Sequence, residues 1–161
     1  YDVKMSEIHG MAQRGGAVSS QVRYGTKVES PVIEIGGADI LVSFEKMEAL
    51  RWLEYLKPNG SVIVNDYEIN SAPILSGKVD YPNDIIEELS SKVKTTVVDA
   101  AKHAVNLGNT KVMNVILLGT IIQSMGLNDI NWESIIRKNV KEKFIDINLK
   151  ALEVGRHFLE K

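Results

Sequence analysis

The chain has 161 residues, of which 25% are charged and 44% are apolar, and its formal net charge is −2. This length suits one domain with one core and this composition is that of a soluble globular protein, while the slightly acidic balance excludes a nucleic-acid surface as the main role, since phosphate binding needs clustered cations. There is no cysteine, so the chain forms no disulfide, supplies no thiolate to zinc or an iron–sulfur cluster, and suits a reducing cytoplasm.

The first elements read as β-structure around a polar, glycine-rich loop. Residues 3–8 alternate weakly and predict a short strand, which the loop follows to about Gly16. Residues 18–24 and 27–35 are β-like on either side of Gly25 and Thr26, a pattern that predicts a hairpin. Pro31 cannot donate to a ladder, so the second piece is an edge strand or only an extended segment. Because the chain opens inside a strand and without Met, we expect it to be a fragment trimmed at its N-terminus.

A strand–helix–strand unit comes next. Residues 38–45, ADILVSFE, form a continuous apolar run typical of a parallel strand covered on both sides. Residues 45–56 carry apolar side chains at helical spacing, and the sequence KPNG at 57–60 ends the predicted helix. Residues 61–65, SVIVN, then form the second strand, which predicts a βαβ unit with two adjacent parallel strands.

The remainder is predicted to be mainly helical. Residues 66–81 read as a loop, and Asn83 is a plausible cap for the helix that follows. Gly126 ends a long apolar helix, which is too short to span a membrane. The predicted elements are a helix at 85–92, a strand at 94–100 running into a helix to about 107, and helices at 110–125, 132–140 and 143–161. The fold class is therefore α/β: a Rossmann-like three-layer domain with a mixed, largely parallel sheet and a helical C-terminal half, spanning 1–161 as one domain.

Common catalytic motifs are absent from the sequence. There is no G-x-S-x-G elbow, no P-loop, no G-x-G-x-x-G turn, and no pair of histidines at i, i+4 spacing. The feature that stands out is the loop in SEIHGMAQRGGAVSSQVRYG, residues 6–25. Gly15 and Gly16 permit close backbone approach, and Arg14 beside them offers a planar fork that could hold a carboxylate or phosphate. The simpler interpretation is a glycine turn with a surface arginine in an ion pair.

Other polar residues have structural interpretations at least as good as functional ones. His9 could serve as an acid or base, or simply bond to the backbone of its loop. The segment 65–67, NDY, ends a strand where open α/β sheets place ligands, but an Asx turn is equally consistent with it. His103 is expected to be structural. Asn114 and Gly119 suggest a buried polar bond and a close helix crossing, respectively.

The order HGMAQRGGAVSSQVRYG…VESPVI…GGADILVSFEKMEALRWLEYLKPNGSVIVN resembles the gamma domain of the 2-oxoacid:ferredoxin oxidoreductases. Within that family it is most similar to the beta subunit of the indolepyruvate branch. The resemblance is tightest over residues 3–65 and looser through Asn114, Gly119, Asn148, Ala151 and Gly155. The family's domain normally opens with a strand and a G-x-G-G-Q-G turn, and neither is present here, which agrees with the fragment expectation.

The resemblance implies a subunit of an enzyme that oxidatively decarboxylates a 2-oxoacid, an aryl pyruvate in the indolepyruvate branch, with coenzyme A as acyl acceptor and ferredoxin as electron acceptor. The chain has no cysteine and no G-D-G…N-N motif for thiamine diphosphate. Thiamine diphosphate, magnesium and iron–sulfur clusters are then expected on a partner alpha subunit, with none bound by this chain alone. The loop residues expected at the substrate, coenzyme A or subunit interface are His9, Gln13, Arg14, Gly15 and Gly16.

A second class of function stays open on the residues alone. A stand-alone α/β module could bind a small anion or nucleotide at the same glycine-rich loop. Obligate complex formation separates the two hypotheses, because a subunit exposes a large apolar patch and a free-standing module does not.

Overall fold

The computed structural model describes residues 1–10 and 17–159. The strands are β1 Asp2–His9, β2 Val18–Gly25, β3 Ala38–Ser43, β4 Leu56–Asn65 and β5 Lys94–Val98. The helices are α1 Lys46–Arg51, α2 Ala72–Leu75, α3 Ile85–Lys92, α4 Ala100–Asn106, α5 Met113–Met125, α6 Trp132–Asn139 and α7 Ile145–Arg156. Among these described residues, no helix combines the length and the apolar character needed to cross a membrane.

β3, β4 and β5 form a parallel sheet in that order, which confirms the predicted βαβ unit. Successive residues of the central strand point to opposite faces of the sheet, so each face acquires its own core. Val62 and Val64 pack in a cluster with residues of α1 and α3, whereas Ile63 packs in the cluster built by α4, α5 and α7. The arrangement is the predicted three-layer α/β fold with a helical C-terminal half.

β1 and β2 form a separate antiparallel ribbon, and this corrects the predicted hairpin between 18–24 and 27–35. β2 pairs with β1 across the glycine-rich loop, with Val3 opposite Tyr24 and His9 opposite Val18. Residues 27–35 form no strand. Pro31 has no amide hydrogen for a ladder, and the amides of Val28 and Ile33 instead bond to side chains of the ribbon.

Several element boundaries differ from the sequence-based ones. The KPNG segment lies inside β4, where the register against β3 shifts and Asn59 takes a φ of 66°. α1 is shorter than predicted because Glu45 caps it and a 3₁₀ turn replaces its end. Asp84, not Asn83, precedes α3, without a side-chain cap bond. α6 ends at Asn139, one residue before its predicted end. α7 has a 3₁₀ turn before it, at Glu142–Phe144, and another after it, at His157–Leu159, and differences of this size at helix ends are common.

α5 and α7 cross with their backbones in direct contact. A Cβ on Gly119 would lie 2.3 Å from the carbonyl oxygen of Leu152, and a Cβ on Gly155 would lie 1.9 Å from that of Ile116. Thr120 Oγ1 donates to the Gly155 carbonyl at 2.9 Å, which satisfies a hydroxyl buried at this crossing. The close crossing expected at Gly119 is confirmed, and Gly155 is its reciprocal partner.

Candidate functional site

The glycine-rich stretch of the sequence connects β1 to β2. β1 ends at His9 and β2 begins at Val18, so the residues between them join the two strands at one end. His9 is exposed, and its Nδ1 lies 3.4 Å from the Gly10 carbonyl oxygen. Apart from its chain neighbours, no atom of the described residues lies within 4 Å of the position that a Cβ on Gly10 would occupy. Gln13, Arg14, Gly15 and Gly16 lie outside the described residues, so their predicted role stays a prediction.

One face of the ribbon is polar and faces the chain's own following segment. Asp2 Oδ2 accepts from the Val28 amide at 2.9 Å, and Gln21 Oε1 accepts from the Ile33 amide at 2.8 Å. The Arg23 guanidinium donates to the carbonyls of Ser30 and Val32 at 3.2 and 3.1 Å. The bond from Val28, followed by that from Lys4, lowers the pKa of the Asp2 carboxyl. These bonds fix which side of the ribbon turns inward.

The opposite face of the ribbon is apolar and open. Val3, Met5, Val22 and Tyr24 share this face because paired residues of adjacent strands project to the same side. Their exposed fractions are 58%, 64%, 53% and 46%. A two-stranded ribbon is marginal in water without a covered apolar face. The ribbon therefore presents these four apolar side chains in the half near Asp2 and Gly25, whereas Glu7, Ser20 and His9 follow on the same face toward the other end.

The carboxyl end of β3 leads into a second polar cluster. Glu45 is 4% exposed, and its carboxylate accepts from the Tyr81 hydroxyl and from the amides of Glu48 at 2.9 Å and Ile69 at 3.4 Å. Burial, followed by the hydrogen bond to Glu45, raises the pKa of Tyr81 well above its usual range. Tyr81 therefore stays a proton donor, and the buried carboxylate is satisfied.

Lys46 lies beside this pair, between two carboxylates. Its Nζ lies 2.7 Å from Glu68 Oε1 and 3.4 Å from Asp66 Oδ1. The hydrogen bond to Glu68 is the main cause that raises the pKa of Lys46. These three side chains line an open cavity of about 380 Å³ whose other wall is residues 82–87, at the start of α3. Because the lysine is neutralised by its neighbours, the cavity is acidic and carries no free cation toward a ligand.

Asn65 organises the carboxyl edge of the sheet. The side chain is fully buried; Nδ2 donates to the Phe44 carbonyl at 3.1 Å and contacts Met113 Sδ at 3.2 Å, while Oδ1 accepts from the Ala100 amide at 3.0 Å. It joins the end of β3 to the starts of α4 and α5. This contradicts the Asx turn that the sequence allowed, because Asn65 Oδ1 accepts its hydrogen bond from the first residue of α4 and not from its own turn.

The remaining candidates are structural or exposed. The His103 ring packs edge-to-face on Phe158 with centroids 5.2 Å apart, as its structural interpretation predicts. Asn114 is exposed, so the buried polar bond expected there is wrong. Within residues 1–10 and 17–159, no three His, Asp or Glu side chains are grouped so as to hold a metal ion.

The Glu45–Tyr81 pair was missed by sequence reasoning. The two residues are separated by α1, a 3₁₀ turn, β4 and the loop that contains α2, and no motif links them. Glu45 ahead of a helical pattern is a recognisable capping signal, but glutamate is not among the preferred cap residues. The contact that matters comes from the return of residues 66–84 to the start of α1, which periodicity cannot predict.

The parallel sheet with helices on both faces, together with the antiparallel ribbon of β1 and β2, defines a three-layer α/β domain with an exposed β-ribbon. The family model described as pyruvate ferredoxin/flavodoxin oxidoreductase matches residues 1–158. The chain belongs to this family, which confirms the resemblance noted in the sequence.

Curated relatives extend the match over nearly the whole chain. The indolepyruvate oxidoreductase subunit IorB of Pyrococcus horikoshii is 37% identical over 163 residues, covering 96% of this chain and 80% of the relative. The subunit of the same name from Archaeoglobus fulgidus is 38% identical over 159 residues, covering 96% and 79%.

Two solved structures share the fold. The gamma subunit of a keto/oxoacid ferredoxin oxidoreductase from Geobacter sulfurreducens superposes with a TM-score of 0.63 at 21% identity, covering 97% of this chain and 79% of that one. A 2-oxoglutarate:ferredoxin oxidoreductase from Magnetococcus marinus superposes with a TM-score of 0.67 at 15% identity, covering 98% of this chain and 26% of that one. At these identities the likeness establishes the fold.

Proposed function

We propose that this chain is the subunit of an aryl pyruvate, indolepyruvate-type, 2-oxoacid:ferredoxin oxidoreductase that carries no redox cofactor of its own. The observation that carries the proposal is the identity of 37–38% to subunits of indolepyruvate oxidoreductases over 96% of the chain. In the reaction the carboxyl carbon of the 2-oxoacid leaves as CO₂, the acyl group forms a thioester with the sulfur of coenzyme A, and two electrons pass to ferredoxin.

We further propose a division of labour between subunits. Thiamine diphosphate, magnesium and the iron–sulfur clusters belong to the partner alpha subunit, because a chain without cysteine has no thiolate to ligate a cluster. Coenzyme A as the acyl acceptor is supported by the Magnetococcus marinus enzyme of similar fold, whose structure has coenzyme A and succinyl-CoA bound. The complex is placed in the cytoplasm, where ferredoxin is available and reducing conditions prevail.

The ribbon tip is proposed to lie against the alpha subunit, close to the site of acyl transfer. His9 is the last residue of β1, and it lies on the outward face of the ribbon beyond Glu7 and Ser20. Gly15 and Gly16 permit close approach of the backbone, and Arg14 can grip a carboxylate or phosphate with two parallel hydrogen bonds. These residue types suit the carboxylate of a 2-oxoacid or the phosphates of coenzyme A.

Replacement of Arg14 tests this site in the assembled complex. A charged hydrogen bond contributes about 1.5–3 kcal/mol, so Arg14→Ala should raise the Michaelis constant for coenzyme A or the 2-oxoacid about tenfold or more. Arg14→Lys should restore little of the loss, because lysine lacks the planar fork. Arg137→Ala on α6, which removes an exposed ion pair with Glu133, is the matched control. Unchanged constants for Arg14→Ala in an intact complex would leave the loop as a turn only.

The subunit role has its own test. The purified chain, given a 2-oxoacid, coenzyme A and an electron-accepting dye, should show no turnover and no iron–sulfur absorbance. Purification of the native complex with a screen over several 2-oxoacids then identifies the substrate. Turnover by this polypeptide alone refutes the subunit proposal, and a chain that purifies natively without partners favours the stand-alone anion- or nucleotide-binding module.

We also propose that residues 1–161 are one gamma-type domain whose sheet is completed by a further strand beside β3. β3 is apolar on both faces, as interior strands are, yet among the described residues it pairs only with β4. By contrast β5, KTTVV, has the polar start expected of an edge. Amide hydrogen exchange of Ile40 and Val42 should slow in a longer natural chain; equal exchange in both chains contradicts the extra strand.

A further inference from the structure

Residues 67–81, which we call the strap, run from the carboxyl end of β4 toward α3 and bury little of their own surface. Ile74 and Tyr81 are partly buried, and every other residue of the strap is exposed. The chain is held on either side of the strap, because the Asp66 amide donates to the Val98 carbonyl at 2.9 Å and Ile85 at the start of α3 is 3% exposed. Since the strap adds little to the core, its attachment depends on polar contacts.

The beginning of the strap is bonded to the turn between β3 and α1. The Lys46 amide donates to the Tyr67 carbonyl at 3.1 Å, and the Lys46 ammonium lies 2.7 Å from Glu68 Oε1. Lys46 is the first residue of α1, so its amide has no acceptor within the helix and takes one from the strap. The Ile69 amide donates to Glu45 Oε1 at 3.4 Å. Two consecutive residues therefore hold the beginning of the strap.

The end of the strap returns to the same turn. The Tyr81 hydroxyl donates to Glu45 Oε1, the oxygen that also accepts from Ile69, and the Tyr81 oxygen accepts from the Met47 amide at 3.3 Å. The other carboxylate oxygen, Glu45 Oε2, accepts from the Glu48 amide at 2.9 Å and caps α1. One atom, Glu45 Oε1, therefore joins both ends of the strap, while Oε2 holds the helix.

The middle of the strap is bonded to itself. The amides of Leu75 and Lys78 donate to the carbonyls of Ser71 and Pro73 at 2.9 and 3.0 Å. Ser76 Oγ also donates to the Pro73 carbonyl at 2.9 Å. Because these bonds all stay within the strap, its middle can move without breaking a hydrogen bond to the sheet or to the long helices.

We propose that the strap opens and closes as one unit, with Glu45 Oε1 as the latch that joins its two ends. Segments with little buried apolar surface and few attachments open at a lower free energy than the core does. Opening takes Glu68 away from Lys46 and from the cavity that both line, at the edge where open α/β sheets bind ligands. The strap thereby governs both the access to that edge and its charge. This device belongs to the fold and is independent of the proposed enzymatic function.

Removal of one hydroxyl at the end of the strap tests the coupling of the two ends. Tyr81→Phe deletes the latch bond and leaves the acceptors of the Lys46 and Ile69 amides in place. Hydrogen exchange of these two amides, followed by NMR, should nevertheless become about fivefold faster or more, since bonds to a charged group are among the stronger ones. Ser76→Ala is the matched control, because it deletes a hydroxyl whose bond stays within the strap, and both rates should remain close to those of the wild type. Unchanged exchange of the Val64 amide in both variants shows that the sheet is kept.

Hydrogen exchange of the wild-type chain at low urea concentrations gives a second measurement that needs no substitution. The amides of Lys46, Met47 and Ile69 contact both ends of the strap. If the strap opens as one unit, the three amides should share one opening free energy and one dependence on urea, both smaller than those of the sheet amides.

Each result supports or overturns the proposal. Faster exchange in Tyr81→Phe, together with one opening free energy below that of the sheet, supports it. Wild-type exchange of the Lys46 and Ile69 amides in Tyr81→Phe would show that the two ends open separately and would overturn it, as would unequal opening free energies. A shared value equal to that of the sheet amides would mean that the strap is released only when the domain unfolds, which also overturns the proposal.

Discussion

The parallel sheet and the β1–β2 ribbon bury their side chains in opposite ways. In the sheet, Val62, Ile63 and Val64 are at most 1% exposed, and helices cover both faces. In the ribbon the polar face turns inward, while Val3 and Met5 remain more than half exposed. The sheet is stabilised by its own chain, whereas the ribbon gains little from the chain and has apolar area left for another polypeptide. The residues that bury the most area within the chain are thus separate from the exposed apolar residues of the ribbon.

The largest difference between the two regions is expected when one glycine is replaced in the helices that cover the sheet and one is replaced beside the ribbon. Gly155→Ala places a Cβ against the Ile116 carbonyl and should lower the free energy of unfolding by about 3 kcal/mol or more, since overpacking against backbone leaves no side chain to yield. Gly10→Ala, directly after β1 and with no atom of the other described residues within 4 Å of the added Cβ apart from its chain neighbours, should change it by less than about 0.5 kcal/mol. Urea titration of both variants measures the difference, and equal losses would contradict the separation.

A second prediction concerns the carboxyl edge of the sheet. Asn65→Ala leaves the Ala100 amide and the Phe44 carbonyl without their buried partner, so unfolding should become easier by about 2–3 kcal/mol. Asn139→Ala removes an exposed bond to the Ile135 carbonyl and serves as control, with a loss below about 0.5 kcal/mol. Similar thermal midpoints for the two variants would show that Asn65 does not hold the edge together.

The smallest expected effect is a pH response confined to the ribbon. The pKa of the Asp2 carboxyl is lowered in the folded chain, mainly by its hydrogen bond from the Val28 amide. The stabilisation that the ionised carboxylate gives is therefore complete at a pH above 3.8, the ordinary pKa of aspartate. It is lost as the pH falls through the lower folded value. The Val28 amide resonance should therefore shift on acidification below pH 3.8, and Asp2→Asn should abolish the shift. A Val28 resonance that titrates in the Asn variant would assign the response to another group.

Local patterns predicted most elements but not their long-range partners. The strand–helix–strand unit at 38–65 and the helix at 85–92 follow from apolar spacing, and Gly119 signalled a close crossing. The predicted hairpin between residues 18–24 and 27–35 was wrong. In the sequence, residues 10–17 and the pair Gly25–Thr26 can each connect two strands of a hairpin. The side chains of Asp2 and Gln21 decide between the two hairpins by accepting hydrogen bonds from the segment that follows β2. The alternation of apolar and polar residues in the sequence does not reveal such bonds.

The candidate site shows the same division. The residue types at 13–16 allow either an anion site or a glycine turn, and the anion site stays a prediction because these residues lie outside the described ranges. The family match supports a place in an oxidoreductase complex. The anchoring of residues 66–84 at Glu45 could not be predicted, because Glu45 and Tyr81 are 36 residues apart in the sequence and meet only in the folded chain. Their pairing depends on the crossing of the chain over the carboxyl edge, a property of topology and not of any local pattern.

The crossing of α5 and α7 has a genetic consequence. At Gly119 and Gly155 the neighbouring atoms all belong to the main chain, which every amino acid carries and no substitution can shorten. A search for second-site suppressors of a larger residue at either position should therefore recover reversions, or changes that move a whole helix, and no compensating small side chain. The two sites constrain the evolution of this domain as a coupled pair.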